Sequence, residues 1–117
     1  MEQIDEIYKA SQQGNSGHLL NTSKEVFDYL GLKEGDHYYG RIFANYFILC
    51  PITSKVLDKG PGIKVKTYEV RKMVNGFSKV TLPKIWGDKV GIRTGAACVK
   101  YKDVFEGIPI IKIRLAS

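Results

Sequence analysis

Leu20-Asn21-Thr22-Ser23-Lys24-Glu25-Val26-Phe27-Asp28-Tyr29-Leu30-Gly31-Leu32-Lys33-Glu34-Gly35 and Val80-Thr81-Leu82-Pro83-Lys84-Ile85-Trp86-Gly87-Asp88-Lys89-Val90-Gly91-Ile92-Arg93-Thr94-Gly95 are two versions of one stretch, sixty residues apart. Lys24/Lys84, Asp28/Asp88, Gly31/Gly91 and Gly35/Gly95 are identical. Leu20/Val80, Leu30/Val90, Leu32/Ile92 and Lys33/Arg93 are chemically similar, and the same shift sets Tyr8 on Tyr68. A repeat constrains the whole fold, because each copy must build the same unit.

Each copy reads as a strand, a second short strand, one helix of about two turns and a β-hairpin. Thr22 with Glu25 three residues later matches a capping box, which starts the first helix near Ser23. Val26, Phe27 and Leu30 then share one apolar face, and Gly31 suits the left-handed residue that ends a helix. In the second copy Pro83 takes the first helical position, and Gly87 weakens that helix by about 1 kcal/mol relative to alanine. His37–Phe43 with Tyr46–Ile52, and Ala97–Lys102 with Ile108–Leu115, read as the two hairpins. Ile111-Lys112-Ile113-Arg114-Leu115 alternates as a half-buried strand does, and so does Ile63–Met73. Asp58-Lys59-Gly60-Pro61-Gly62 is the linker between copies.

The chain has 117 residues, 44% hydrophobic and 26% charged, which bounds it to one soluble folded domain or two small units sharing a core. Its net charge of +6 is unevenly spread. Residues 1–58 carry five basic and eight acidic side chains, a net −3; residues 59–117 carry thirteen and four, a net +9. Such asymmetry points to a polyanionic partner. The uncharged, largely apolar stretch Ile42–Ser54 has thirteen residues, against about 20 for a membrane span. Glu2, Asp5 and Glu6 interrupt any apolar signal core, so a cytoplasmic location with no membrane association is expected. Cys50 and Cys98 form no C-x-x-C pair and are expected as two buried thiols; with only His18 and His37 beside them, no metal or cofactor is expected. No nucleotide loop or catalytic constellation is present, so the chain is not expected to be an enzyme.

Val70-Arg71-Lys72, Lys79-Val80-Thr81-Leu82-Pro83-Lys84, Val90-Gly91-Ile92-Arg93-Thr94-Gly95 and a hairpin ending in Ile110-Ile111-Lys112 resemble the AbrB/SpoVT family of swapped-hairpin DNA-binding regulators. The resemblance covers residues 64–115 and, more weakly, 4–52, where Leu30-Gly31-Leu32-Lys33-Glu34-Gly35-Asp36 is the better copy of the family's second motif. The first copy has Ser23 in place of the proline and Leu19 in place of the basic Lys79; the second has Ala96 where the family has aspartate. The resemblance implies a mainly β fold with two short helices, in which tandem AbrB-like units interlock into one pseudo-symmetric barrel. Residues 1–58 would form an acidic structural and assembly unit, and residues 59–117 a basic DNA-binding unit. Interlocking has a physical motive, since a unit of about 50 residues buries too little surface to stand alone. The core is expected from Val26, Phe27, Leu30, Leu32, Val80, Leu82, Trp86, Val90 and Ile92.

Double-stranded DNA is therefore the expected partner, bound by a transcriptional regulator acting through site occupancy. Lys72, Lys79, Lys84 and Lys89 are assigned to phosphates, and Arg71 and Arg93 to base or groove contact, because only a guanidinium can bridge guanine N7 and O6. Asn75 and Ser78 are expected to add neutral hydrogen bonds, and Gly76 to let its loop approach the DNA backbone. A single basic half implies a homodimer on a palindromic site. An antitoxin-like or other protein-interaction module, docking a protein partner through the acidic first unit and Tyr38-Tyr39 and Tyr46-Phe47, is the alternative. Single-stranded nucleic acid bound by stacking fits less well, because most aromatics lie in one half and most cations in the other.

Overall fold

The computed structural model describes residues 1–12, 14, 17–52 and 60–116. Its strands are β1 (Glu2–Gln3), β2 (Tyr8–Lys9), β3 (Ser11–Gln12), β4 (Gly17–Ser23), β5 (His37–Phe43), β6 (Tyr46–Pro51), β7 (Ile63–Glu69), β8 (Phe77–Pro83), β9 (Ala97–Phe105) and β10 (Ile108–Leu115). The helices are α1 (Lys24–Leu30) and α2 (Lys84–Val90), at equivalent places in the repeat. Both end on a glycine in the left-handed region, Gly31 and Gly91, each at φ 73°. Leu32 and Ile92 then donate their amides back to the carbonyls of Phe27 and Gly87, again sixty residues apart.

Two helix starts differ from expectation. Ser23 is the N-cap of α1 and makes no side-chain cap bond; Thr22 lies buried on the inner face of β4, where its hydroxyl donates to Leu20 O. A side chain turned into the core cannot reach the helix amides, so the capping box does not form. Pro83 is likewise the N-cap of α2 and not its first residue. Gly87, read as a weakness, is a packing site: a Cβ there would stand 2.5 Å from Ile92 Cγ2.

The strands form two antiparallel sheets. The larger runs β1-β9-β10-β6-β5-β7, with β2 also on β9; the smaller runs β3-β4-β8. The two copies exchange strands throughout. The first hairpin, β5–β6, takes β7 of the second copy on its edge, and the second hairpin, β9–β10, takes β1 and β2 of the first. Tyr38↔Tyr68 and Cys98↔Tyr8 are equivalent pairs of these ladders. Gly35 donates to Val70 O and Gly95 to Ala10 O, which clasps each glycine turn against the other copy. The path ends in β1 and β2 on one side and β7 on the other, so the described strands make open sheets and not the expected closed barrel.

One core joins these layers. Leu20, Val80 and Leu82 of the small sheet meet Phe47, Leu49, Ile111 and Ile113 of the large one, with Val26, Phe27 and Leu30 of α1 and Trp86 of α2. Trp86 is fully buried and donates its indole N–H to Asn45 O at the tip of the first hairpin. Tyr29 of α1 reaches Asp103 O of the second hairpin at 2.7 Å. Of the expected core, Val90 and Ile92 are only half-buried and pack on its rim. Cys50 and Cys98 are buried thiols outside any disulfide, and burial pushes Cys98 up to about 11. Of the linker, Gly60–Gly62 is described, and residues 58 and 59 lie outside the described residues. Arg41 fastens its end by donating to Pro61 O and Gly62 O. No helix among the described residues is long and apolar enough to cross a membrane.

Candidate nucleic-acid interface

The basic surface is built where β7 runs through a tight turn into β8. Asn75 and Gly76, at φ 53° and 81°, form a two-residue turn closed by reciprocal bonds between Val74 and Phe77. Gly76 O also accepts from the Lys24 amide at the start of α1, which anchors the turn to the first copy. In β8, Ser78, Val80 and Leu82 point inward and are buried, so Lys79 and Thr81 must point outward. Ser78, expected to hydrogen-bond DNA, is instead buried, and its hydroxyl donates to Arg71 O at 3.0 Å, fixing the segment that carries Arg71 and Lys72. A Glu34 carboxylate oxygen accepts from the Met73 amide and pins the same segment from the other copy.

Arg71, Lys72, Lys79 and Lys84 come together here. Arg71 donates to the Thr81 hydroxyl at 3.0 Å, and Lys79 stands on the same strand two residues away. A shallow hollow of about 380 Å³ is lined by Lys66, Arg71, Lys79 and Thr81 beside Tyr38 and Tyr68, with the Glu69 carboxylate also on its wall. Lys66, Arg71 and Thr81 line the next hollow with Lys84, and Lys79 lines a third with Lys72 and Asn75. The five cations therefore form one continuous track. Burial pushes the Tyr38 and Tyr68 phenols above their ordinary value, so both stay neutral at physiological pH. Lys84 shares its charge with Asp88 at 2.8 Å, as Lys24 does with Asp28 in the first copy. Lys72 and Lys79 form no ion pair among the described residues.

Lys66 is absent from the sequence-based set because its strand belongs, through β5, to the opposite hairpin. The alternation Lys64-Val65-Lys66 is its only signal. Two expected residues lie elsewhere. Lys89 lies in the last turn of α2 and lines a separate hollow with Asn45 and Arg114. Arg93 is exposed beyond the α2 cap and lines none of the three hollows of the track.

The charge division is also less sharp than the sequence suggests. Lys100 of the second half is fully buried and donates to Asp5 of the first at 3.1 Å, and Lys102 meets Glu2 at 3.3 Å. Burial lowers the Lys100 pKa, opposed by the Asp5 charge and hydrogen bond. Part of the first unit's acidity is thus spent inside the fold. No protein-family model, curated protein or solved structure matches this chain.

Proposed function

We propose that the chain is a double-stranded DNA-binding protein, a transcriptional regulator acting by occupancy through the Arg71–Lys72–Lys79–Lys84 surface. The observation that carries this reading is the continuity of the cationic track with Lys66 and the outward-facing Thr81. Lysines along such a track neutralise successive phosphates, and Arg71 at its centre can add a groove contact. Lys89 and Arg93 extend the basic surface only if the duplex reaches past α2.

The exchange of edge strands between hairpins supports a finer reading of the fold. The chain is a tandem of AbrB-like swapped-hairpin units wrapped into one pseudo-symmetric, barrel-like body, with residues 1–58 structural and residues 59–117 binding DNA. The track occupies only one side of that body, so a homodimer presenting two tracks would double the phosphate contacts on a palindromic site.

The test is competition on duplex DNA. Charge reversal at Arg71 and Lys79 should abolish duplex binding, whereas unchanged affinity would remove the site. Light scattering on the complex should give two chains per duplex; one chain would exclude the dimer.

A further inference from the structure

At the α2 end of the cationic track, apolar side chains stand among the cations. The hollow there, of about 360 Å³, has Val65, Lys66, Arg71, Thr81, Lys84 and Ile85 in its lining. Ile85 is 64% exposed, although the next two residues of its helix, Trp86 and Gly87, are buried. Val65 and Lys66 are neighbours in β7, and in a regular strand they would point to opposite faces. Here Gly40 pairs with Lys66 and Arg41 with Lys64, so Val65 is the unpaired residue of a β-bulge. The bulge re-aims the strand and brings both side chains to one hollow.

The first copy shows that the repeated framework does not require these residues. Sixty residues back, Asp5 corresponds to Val65, Glu6 to Lys66 and Glu25 to Ile85. Three acidic positions of one copy are thus two apolar positions and one basic position in the other. Among the described residues no carboxylate lines this hollow; Asp88, the ion-pair partner of Lys84, lines a different one. Phosphates suit the lysines of such a surface, but they give an exposed isoleucine nothing to bury against. The apolar group that a duplex offers beside its base edges is the C5-methyl of thymine, which projects into the major groove. Arg71 is held for the neighbouring base, because the Thr81 hydroxyl takes only one of the donors of its guanidinium fork, at 3.0 Å.

We propose that Ile85, backed by Val65, reads the C5-methyl of a thymine next to the guanine taken by Arg71, so that the α2 end of the track faces the major groove and prefers thymine there. Lys66 and Lys84 hold the phosphates on either side of that contact. The proposal rests on the duplex reading of the track and adds a base preference to it.

The test is fluorescence anisotropy of the full chain with labelled duplexes of alternating TG·CA and alternating AG·CT sequence, each made once with thymine and once with uracil, which lacks only the methyl. The parent should bind at least one of the two roughly four-fold more weakly in its uracil form, the value of one buried methyl. Ile85→Ala should bind the thymine and uracil forms alike, and Ile85→Val should keep a reduced preference; emission of the buried Trp86 reports that each variant is folded. Equal binding of thymine and uracil forms by the parent in both sequences, or a preference that Ile85→Ala leaves intact, would overturn the proposal. If Arg71 and Lys79 variants still lose duplex binding in that case, the track itself stands. Failure of the duplex reading shows separately, as absence of binding to every duplex or affinity indifferent to Arg71 and Lys79, and it removes the proposal as well.

Discussion

Leu20 and Val80 stand directly opposite each other in the β4–β8 ladder, and sixty residues separate them. The operation that places one copy on the other is therefore a two-fold whose axis passes between this pair. Every surface on one side of the axis has a counterpart on the other, and the differences between counterparts identify what each copy has specialised to do. Arg71, Lys72 and Lys79 correspond to Ser11, Gln12 and Leu19. The framework is doubled and the cationic track is single.

Restoring the missing half of the track tests this correspondence. The triple substitution Ser11→Arg, Gln12→Lys and Leu19→Lys should tighten duplex binding and steepen its salt dependence, by about 0.9 in slope for each phosphate gained. Salt titration of the variant checks it; an unchanged slope would mean that the first-copy face lies away from the duplex.

Asp5 and Lys100 form the main departure from two-fold symmetry inside the fold. Asp5, at φ 68°, accepts from the Lys100 ammonium and from the Ser23 amide, while Lys100 also donates to Asn21 O. Removing either partner strands a buried charge, so Asp5→Ala or Lys100→Met should each cost about 3–5 kcal/mol in urea unfolding. The double variant should recover part of that loss. Single variants within about 0.5 kcal/mol of the parent would show that the pair does not hold the N-terminal segment.

The counterpart of Lys100 is Gly40, and the space occupied on one side by the buried ion pair is filled on the other by rings. A Cβ on Gly40 would stand 2.5 Å from Tyr68 and 2.8 Å from Phe47. Gly40→Ala should destabilise by about 1–3 kcal/mol through overpacking, measured by thermal or urea melting.

How much of this was legible beforehand follows from the range of the interactions involved. The repeat, the helix positions, both glycine caps and the hairpins were readable because they depend on local periodicity and on residues that permit a left-handed turn. The capping box failed because Thr22 has two possible roles, and only the pairing of β4 with β8 turns it inward. Arg71, Lys72, Lys79 and Lys84 are close in sequence and stay close in space. The place of Lys66 in the track, and of the Lys112 ammonium 5.3 Å from the Tyr46 ring centre, required knowing which strand of one copy lies beside which strand of the other. A burial partner such as Asp5 for Lys100, ninety-five residues away, leaves no local signature.

Asp103 supplies a pH-dependent contribution with a defined sign. Its hydrogen bond from Lys112 and the Val104 amide hold its carboxyl below the ordinary value of 3.8. The unfolded chain therefore binds the proton more readily, and the stabilisation is present above about pH 4 and lost as pH falls through the folded-state value. Urea unfolding of the parent and Asp103→Asn should differ at pH 6 and converge near pH 2; a constant gap would contradict this.

The most direct measurement of the central claim is the salt dependence of duplex affinity for the parent beside Lys79→Ala. With Lys72, Lys79 and Lys84 on phosphates, log K should fall against log salt with a slope of roughly −3 per chain, or about −5 for a two-chain complex. Lys79→Ala should make that slope shallower by about 0.9 for each chain bound. A slope near zero in the parent, or one that Lys79→Ala leaves unchanged, would contradict the assignment of the β7–β8 track as a DNA-binding surface.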